Sequence, residues 1–181
     1  MAQTDEGLKE KVVIAEDNAT TRKCIKGHLE LLGYDVVGAA KNGVEAMEMV
    51  KEFNPSLVVL DVKMPKMDGL TVAKNITENS PIPIILVTGH SENDVAEEAV
   101  EAGVFAYLVK PVTKKHLLPA IKLAKARYKQ FKELNEEVTG LREAIEARKV
   151  IERAKGILMK RCKIGEDEAF KLLQSQSQKE K

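Results

Sequence analysis

Leu57-Val-Val-Leu-Asp61-Val-Lys-Met-Pro-Lys-Met-Asp68-Gly69 is the segment that sets the architecture of this chain. The run from Leu57 to Leu60 is short and wholly apolar, as expected of a strand buried on both faces, and it ends in a single acid, Asp61. Two similar runs precede it, Val12 to Ala15 and Val36 to Ala39, and two follow, Ile84 to Val87 and Phe105 to Val109. Amphipathic stretches near 19–32, 42–53, 69–78 and 92–102 separate the runs, and a fifth begins near Thr113. Gly33 and Gly103 look like helix stops, and Asn42 with Glu45 three residues later resembles a capping box. Strands alternating with helices of this length predict an α/β protein whose five-stranded parallel sheet is covered on both faces.

Ligands of open parallel sheets bind beyond the carboxyl ends of the strands, so polar residues there come first. Strand one runs into Glu16 and Asp17, strand three into Asp61, strand four into Thr88, and strand five into Lys110 and Pro111. One acid after a buried strand is usually a solubilising loop residue. Three carboxylates, a hydroxyl and an ammonium at four strand ends predict a site. Clustered carboxylates repel one another and are tolerable together chiefly around a divalent cation, and hard oxygen donors suit Mg2+. Asp61 can then act as a nucleophile toward a phosphoryl group. Lys110 can contact the same oxygens, the Thr88 hydroxyl can donate a hydrogen bond, and Gly89 leaves room for the incoming donor.

Length and composition limit the rest. A chain of 181 residues accommodates one domain of about 120 residues and something smaller. With 44% apolar and 31% charged residues the chain is ordinary for a soluble globular protein, and no apolar run approaches the ~20 residues that span a bilayer. The opening MAQTDEGLKE is too polar for a signal peptide. Cys24 and Cys162 lack CxxC spacing, and His28, His90 and His116 form no metal-binding pattern, which predicts reduced thiols in a cytoplasmic protein. Residues 1–118 carry 13 Lys/Arg against 18 Asp/Glu, net −5, while residues 119–181 carry 16 against 10, net +6. That asymmetry suggests different partners for the two parts, or merely a charged helix with a solvated face.

The acidic pair Glu16-Asp17, the stretch from Asp61 to Asp68-Gly69, Thr88-Gly89 and Lys110-Pro111 together resemble the response-regulator receiver family over residues 10–125. The resemblance implies a flavodoxin-like (βα)5 fold, with Asp61 as phosphoacceptor and a sensor histidine kinase as donor. It implies that Asp17 and Asp61 ligate Mg2+, that Glu16 assists through water and that the Lys63 carbonyl is a further ligand. The Lys110-Pro111 bond is expected to be cis. Tyr107 matches the family's switch aromatic, its other reading being a half-buried strand residue. In the switch reading Thr88 moves toward the phosphoryl group and Tyr107 fills the vacated space. By the same resemblance Lys63 and His90 occupy the two positions that flank the acyl phosphate in this family and often set its lifetime.

After Thr113, a plausible N-cap, no strong helix breaker appears until about Gly140 apart from Pro119 near the helix start. Leu117, Ile121, Ala124, Tyr128 and Phe131 step by four and three, and Leu134, Val138, Leu141 and Ile145 resume the pattern after a three-residue slip. This is a short coiled-coil signal, read as a parallel dimer seam rather than a helix folded back on the receiver. Beyond Ala147 the apolar positions change phase and Arg148, Lys149, Arg153, Lys155, Lys160, Arg161 and Lys163 crowd around them. Gly165 interrupts, and Glu166 to Leu173 reads as another short helix.

The run from Val150 to Met159, with Ala-Lys-Gly-Ile-Leu-Met at 154–159, and the run from Gly165 to Leu173 resemble the start of an ANTAR output domain over residues 135–174. That family is a small helical module on a coiled coil that binds paired RNA hairpins and prevents transcription termination. Gln174 stands where the family usually has Arg, and the chain ends at Lys181, before the family's third helix. The resemblance therefore implies either a truncated module or a degenerated output, whose remaining helices expose their apolar side. RNA contacts are expected at Lys155, Lys160 and Arg161, then Arg153 and Lys149. Gly156 would allow close backbone approach, or simply helix packing.

The expected organisation is an N-terminal tail (1–10), a receiver (11–118), a coiled-coil extension of the fifth helix (119–147) and a partial ANTAR-type module (148–181). Phosphorylation would favour a homodimer through the coil, presenting two basic arms to two RNA hairpins. No turnover of an external substrate is expected. A DNA-binding output is disfavoured because 34 residues after Ala147 are too few for a complete helix-turn-helix domain. The alternative is a coil that docks a kinase or another regulator, with no nucleic-acid binding.

Overall fold

The computed structural model describes residues 9–89 and 98–179, and the chain divides into two compact units, Met1–Gln130 and Phe131–Lys181. In the first, strands β1 (Lys11–Ala15), β2 (Asp35–Ala40), β3 (Leu57–Asp61), β4 (Ile84–Thr88) and β5 (Ala106–Val109) form one parallel sheet in the order β2-β1-β3-β4-β5. This is the flavodoxin-like order, and all five apolar runs are strands. Leu57, Val58, Val59 and Leu60 are each at most 1% exposed, so the central strand is buried on both faces as its sequence requires. Successive residues serve opposite faces. Leu57 and Val59 join Ile25, Leu29, Leu117 and Ile121 in one core, while Val58 and Leu60 join Ala46, Val72, Ala73 and Ile76 in the other.

Helices α1 (Ala19–Leu31), α2 (Gly43–Phe53) and α3 (Gly69–Asn79) start on side-chain caps from Asn18, Asn42 and Asp68. The stops at Gly33 and Gly103 have φ of +91° and +74°, left-handed backbone that glycine adopts without a Cβ penalty. The Asn42 capping arrangement differs from the box in one respect. Asn42 Oδ1 accepts from the Glu45 N–H at 3.0 Å, but Glu45 reaches back to the Lys41 N–H and the Asn42 side-chain amide. Of the stretch expected to be helical near 92–102, residues 98–101 are helical (α4) and 92–97 lie outside the described residues, as does His90.

The long helix α5 runs from Lys114 to Cys162 with Pro119 inside it, and so belongs in part to each unit; Leu117, Ile121 and Ala124, expected on a coiled-coil seam, are instead fully buried in the core of the first unit, where the sheet offers them a larger apolar surface. It does not end near Gly140: one interior glycine costs only about 1 kcal/mol, which its helix-forming neighbours outweigh. In the second unit, Lys163 turns the chain with φ +56°, and α6 follows from Glu166 to Lys179. Helix α6 is longer than the apolar pattern to Leu173 suggested, because the polar residues after it include no breaker. Ala169 is fully buried, while Phe170, Leu172 and Ile157 are about half exposed. A groove of about 380 Å³ between the helices is lined by Val150, Ile151, Ala154, Phe170 and Leu173. No helix among the described residues is long and apolar enough to cross a membrane.

Candidate functional site

The sheet order reverses direction at β1, between β2 and β3, and the acids from the ends of β1 and β3 meet there. Glu16, Asp17 and Asp61 offer carboxylate oxygens all within 4.8 Å of one another, with Glu16 and Asp61 buried and Asp17 exposed. Lys110, from the end of β5, reaches across β4 to join them: its Nζ lies 3.0 Å from Asp61 Oδ2 and 2.8 Å from Glu16 Oε2. It donates a hydrogen bond to Glu16 Oε1 at 3.0 Å. Glu16 Oε2, although close to the ammonium, is out of hydrogen-bond alignment and has no hydrogen-bond partner among the described residues.

Burial drives the electrostatics. Desolvation raises the pKa of Asp61, opposed by the Lys110 ammonium and reinforced by the charge on Asp17. Desolvation likewise raises Glu16, with Lys110 opposing and Asp61 reinforcing. Burial works against the charge on Lys110, but its hydrogen bonds and ion pairs with Glu16 and Asp61 outweigh that, so its pKa is raised. One ammonium thus serves two buried carboxylates and a third stands nearby, an excess of negative charge that a divalent cation can balance. An all-oxygen donor set that includes a buried Glu16 oxygen without a hydrogen bond fits Mg2+.

Thr88 is buried at the end of β4, and its carbonyl accepts from the Lys110 N–H at 2.8 Å, which fixes the backbone of both residues together. The Lys110-Pro111 peptide is cis. Lys63 is exposed in the loop that follows β3. Tyr107 pairs in register with Leu86, two residues before Thr88 on the neighbouring strand, and is 53% exposed. Its ring borders a groove of about 630 Å³ shared with Val109, His116, Pro119, Leu123 and Arg127.

Further residues shape the site from the flanking elements. Arg22 donates to the carbonyls of Glu16 at 2.6 Å and Asp17 at 3.2 Å, holding the acidic loop from α1. Asn18, preceding Ala-Thr-Thr, has the signature of an N-cap and accepts from the N–H groups of Thr20 and Thr21. Asp68, part of the motif after Asp61, bonds the Thr71 N–H at 2.7 Å and so starts α3. The N–H of Gly69 donates to the Val62 carbonyl at 2.9 Å. A Cβ on Gly69 would stand 2.1 Å from the Asp61 carbonyl oxygen, and one on Gly43 would stand 2.3 Å from the Met67 carbonyl oxygen. Two glycines therefore let α2 and α3 close on the loop that carries Asp61.

In the second unit, Lys149, Arg153, Lys160 and Arg161 are exposed. Lys149 pairs with Glu146 at 2.7 Å. Lys155 is buried, 2.7 Å from Glu166 and 2.8 Å from Glu152.

Comparison with known proteins agrees with this layout. A model of the response regulator receiver domain matches residues 12–122, and a model of the ANTAR domain matches residues 139–181. The transcriptional regulatory protein PdtaR of Mycobacterium tuberculosis is 42% identical over 170 residues, 94% of this chain and 83% of that protein. Among solved structures, a response regulator receiver domain protein from Clostridium thermocellum superposes with a TM-score of 0.61 at 34% identity, covering 67% of this chain and 98% of that one. A chain of the CheX-CheY-BeF3-Mg2+ complex from Borrelia burgdorferi does so with a TM-score of 0.61 at 28% identity, covering 65% and 90%. Since the first match spans every strand end described above and the second covers the helices beyond them, this chain belongs to the response regulator family, with a receiver domain followed by an ANTAR domain.

Proposed function

We propose that this chain is a phosphorylation-controlled RNA-binding antiterminator, in which Asp61 accepts a phosphoryl group from a sensor histidine kinase. The observation that carries this reading is Lys110 Nζ held at 3.0 Å from Asp61 and 2.8 Å from Glu16, beside Asp17 at the reversal of the sheet. An Asp61 oxygen forms the new bond to phosphorus as the bond from phosphorus to the donor nitrogen breaks, and the donor imidazole leaves. Lys110 then pairs with the phosphoryl oxygens, and the Thr88 hydroxyl donates to one of them while Tyr107 moves toward the space it leaves. Mg2+, held by Asp17, Asp61, the Lys63 carbonyl and, through water, Glu16, would supply charge neutralisation at those oxygens. The chain slowly loses its own phosphoryl group and turns over no external substrate.

The output reading rests on the ANTAR match and on the exposed basic residues between Arg148 and Lys163. Phosphorylation favours a dimer through Leu134, Val138, Leu141 and Ile145, which are exposed in the single chain at steps of four, three and four. Two arms then meet two RNA hairpins. Sedimentation with Mg2+, with and without beryllofluoride, tests this, with Asp61→Asn as control. A monomer-to-dimer shift absent from the variant is expected, and no shift would remove the coil from the mechanism and favour the docking alternative. Binding to hairpin RNA should weaken steeply with salt and be absent with duplex DNA.

Metal binding has its own readout. Mg2+ at a hundred times its Kd should stabilise the wild-type chain by about 2.7 kcal/mol in thermal or denaturant unfolding. The gain should fall severalfold in Asp17→Asn, and an equal gain in that variant would place the ion elsewhere.

A further inference from the structure

Arg22 stands where helix energetics disfavour it. It is the fourth residue of α1, whose first turn holds no acid, and a cation there runs against the helix dipole. Its Nη1 donates to the Glu16 carbonyl at 2.6 Å and to the Asp17 carbonyl at 3.2 Å. Three carboxylates cluster at that loop, yet Arg22 forms an ion pair with none of them among the described residues. Lys110 does the opposite and pairs with the side chains of Glu16 and Asp61.

Asp17 depends on this arrangement more than its neighbours do. Glu16 and Asp61 are buried and share Lys110. The Asp17 carboxylate is exposed and has neither a hydrogen bond nor an ion pair among the described residues, so its place follows from its main chain. On either side that main chain is tied down: the Glu16 N–H donates to the Ala40 carbonyl at 3.1 Å, and the Asn18 N–H to Glu16 Oε1 at 3.3 Å. The Asp17 carbonyl accepts from Arg22 and from no other group among the described residues.

We propose that Arg22 is a positioning residue for the divalent cation, presenting the Asp17 carboxylate through the main chain while leaving its oxygens free to bind metal. The proposal rests on the Mg2+ reading above and adds a residue outside the donor set. An arginine paired with the Asp17 carboxylate would compete with a cation for those oxygens, whereas one bonded to the carbonyls does not. The sign of the effect separates this role from simple charge. The positive charge of Arg22 by itself repels a dication, so removing it would tighten Mg2+ binding if charge dominated. If positioning dominates, the loss weakens binding, and groups that hold metal ligands in place are worth about 10- to 100-fold in affinity.

The test is a calorimetric titration of Mg2+ into the full, unphosphorylated chain and three variants. Arg22→Ala should raise the Kd for Mg2+ about tenfold. Arg22→Lys keeps the charge and one donor group, and its Kd should fall between those of Arg22→Ala and wild type. Ile25→Val loosens the buried face of α1 without touching the loop, so it should lower the denaturant midpoint and leave the Kd within about twofold. With a small acyl phosphate donor, Arg22→Ala should need about tenfold more Mg2+ for half-maximal phosphoryl incorporation, with the maximal rate within about twofold of wild type. An unchanged or lower Kd in the Arg22 variants that fold overturns the proposal. So does an equal loss in Ile25→Val, which would make the packing of α1 the cause. A rate that stays low at saturating Mg2+ also overturns it, since Arg22 would then act on transfer rather than on the metal. Failure of the wild-type chain to bind Mg2+ removes the metal reading itself, a result distinct from any variant effect.

Discussion

Asp61→Asn should reduce phosphoryl incorporation to background when the chain is incubated with Mg2+ and a small acyl phosphate donor, as read from the intact mass. Asparagine keeps the size of the side chain but has no anionic oxygen to attack phosphorus. It also removes one partner of Lys110, whose Nζ still has Glu16 at 2.8 Å, so the strand end should stay assembled. The buried position makes the variant conservative: Asp61 carries a pKa raised by desolvation, so a neutral replacement also relieves a charge that burial disfavours. Loss of transfer without loss of folding is therefore the expected result. A phosphoryl group retained in the variant would move the acceptor to Asp17, the exposed carboxylate of the same cluster.

Gly69→Ala should be among the most damaging single substitutions outside the acidic cluster. The added Cβ would lie 2.1 Å from the Asp61 carbonyl oxygen, 2.9 Å from its carbonyl carbon and 3.2 Å from the Val62 Cα. All three are backbone atoms, so no side-chain rotation relieves the clash, and α3 must move from the end of β3. Overpacking of this kind costs about 1–3 kcal/mol, and here it also displaces Asp61 and the loop that carries Lys63. Denaturant unfolding should show the destabilisation, and Mg2+ stabilisation should fall with it. Gly140→Ala is the matched control: nothing stands within 4 Å of its Cβ, and the change should stabilise α5 by about 0.5–1 kcal/mol. Equal effects of the two would mean that helix propensity, not the close approach to Asp61, decides what a glycine does here.

The five strands were legible because burial on both faces demands continuous apolar runs, and Val12–Ala15 or Ile84–Val87 have no other plausible use in a chain of this composition. Asp61, Glu16, Asp17, Thr88 and Lys110 were legible as a set because each follows such a run directly, and parallel strands bring their carboxyl ends to one edge. Helix ends were less so. The apolar pattern ends at Leu173 but α6 does not, because a helix persists wherever no breaker or competing bond stops it.

Local pattern alone thus determined the kind and order of the elements and the residue types at the sheet edge, since the periods of strand and helix are written in neighbouring residues. Which charges meet was decided by the tertiary structure. Lys110 serves Glu16 and Asp61 at once because β5 and β1 are brought to either side of β3 and β4, and Arg22 holds the acidic loop because α1 turns it back over Glu16 and Asp17. Lys155 looks in sequence like any other cation of a basic helix, and it is the fold of α6 that gives it Glu166 and takes it out of solvent. Ion pairs and close approaches depend on distances between residues far apart in the chain, and only packing sets those distances.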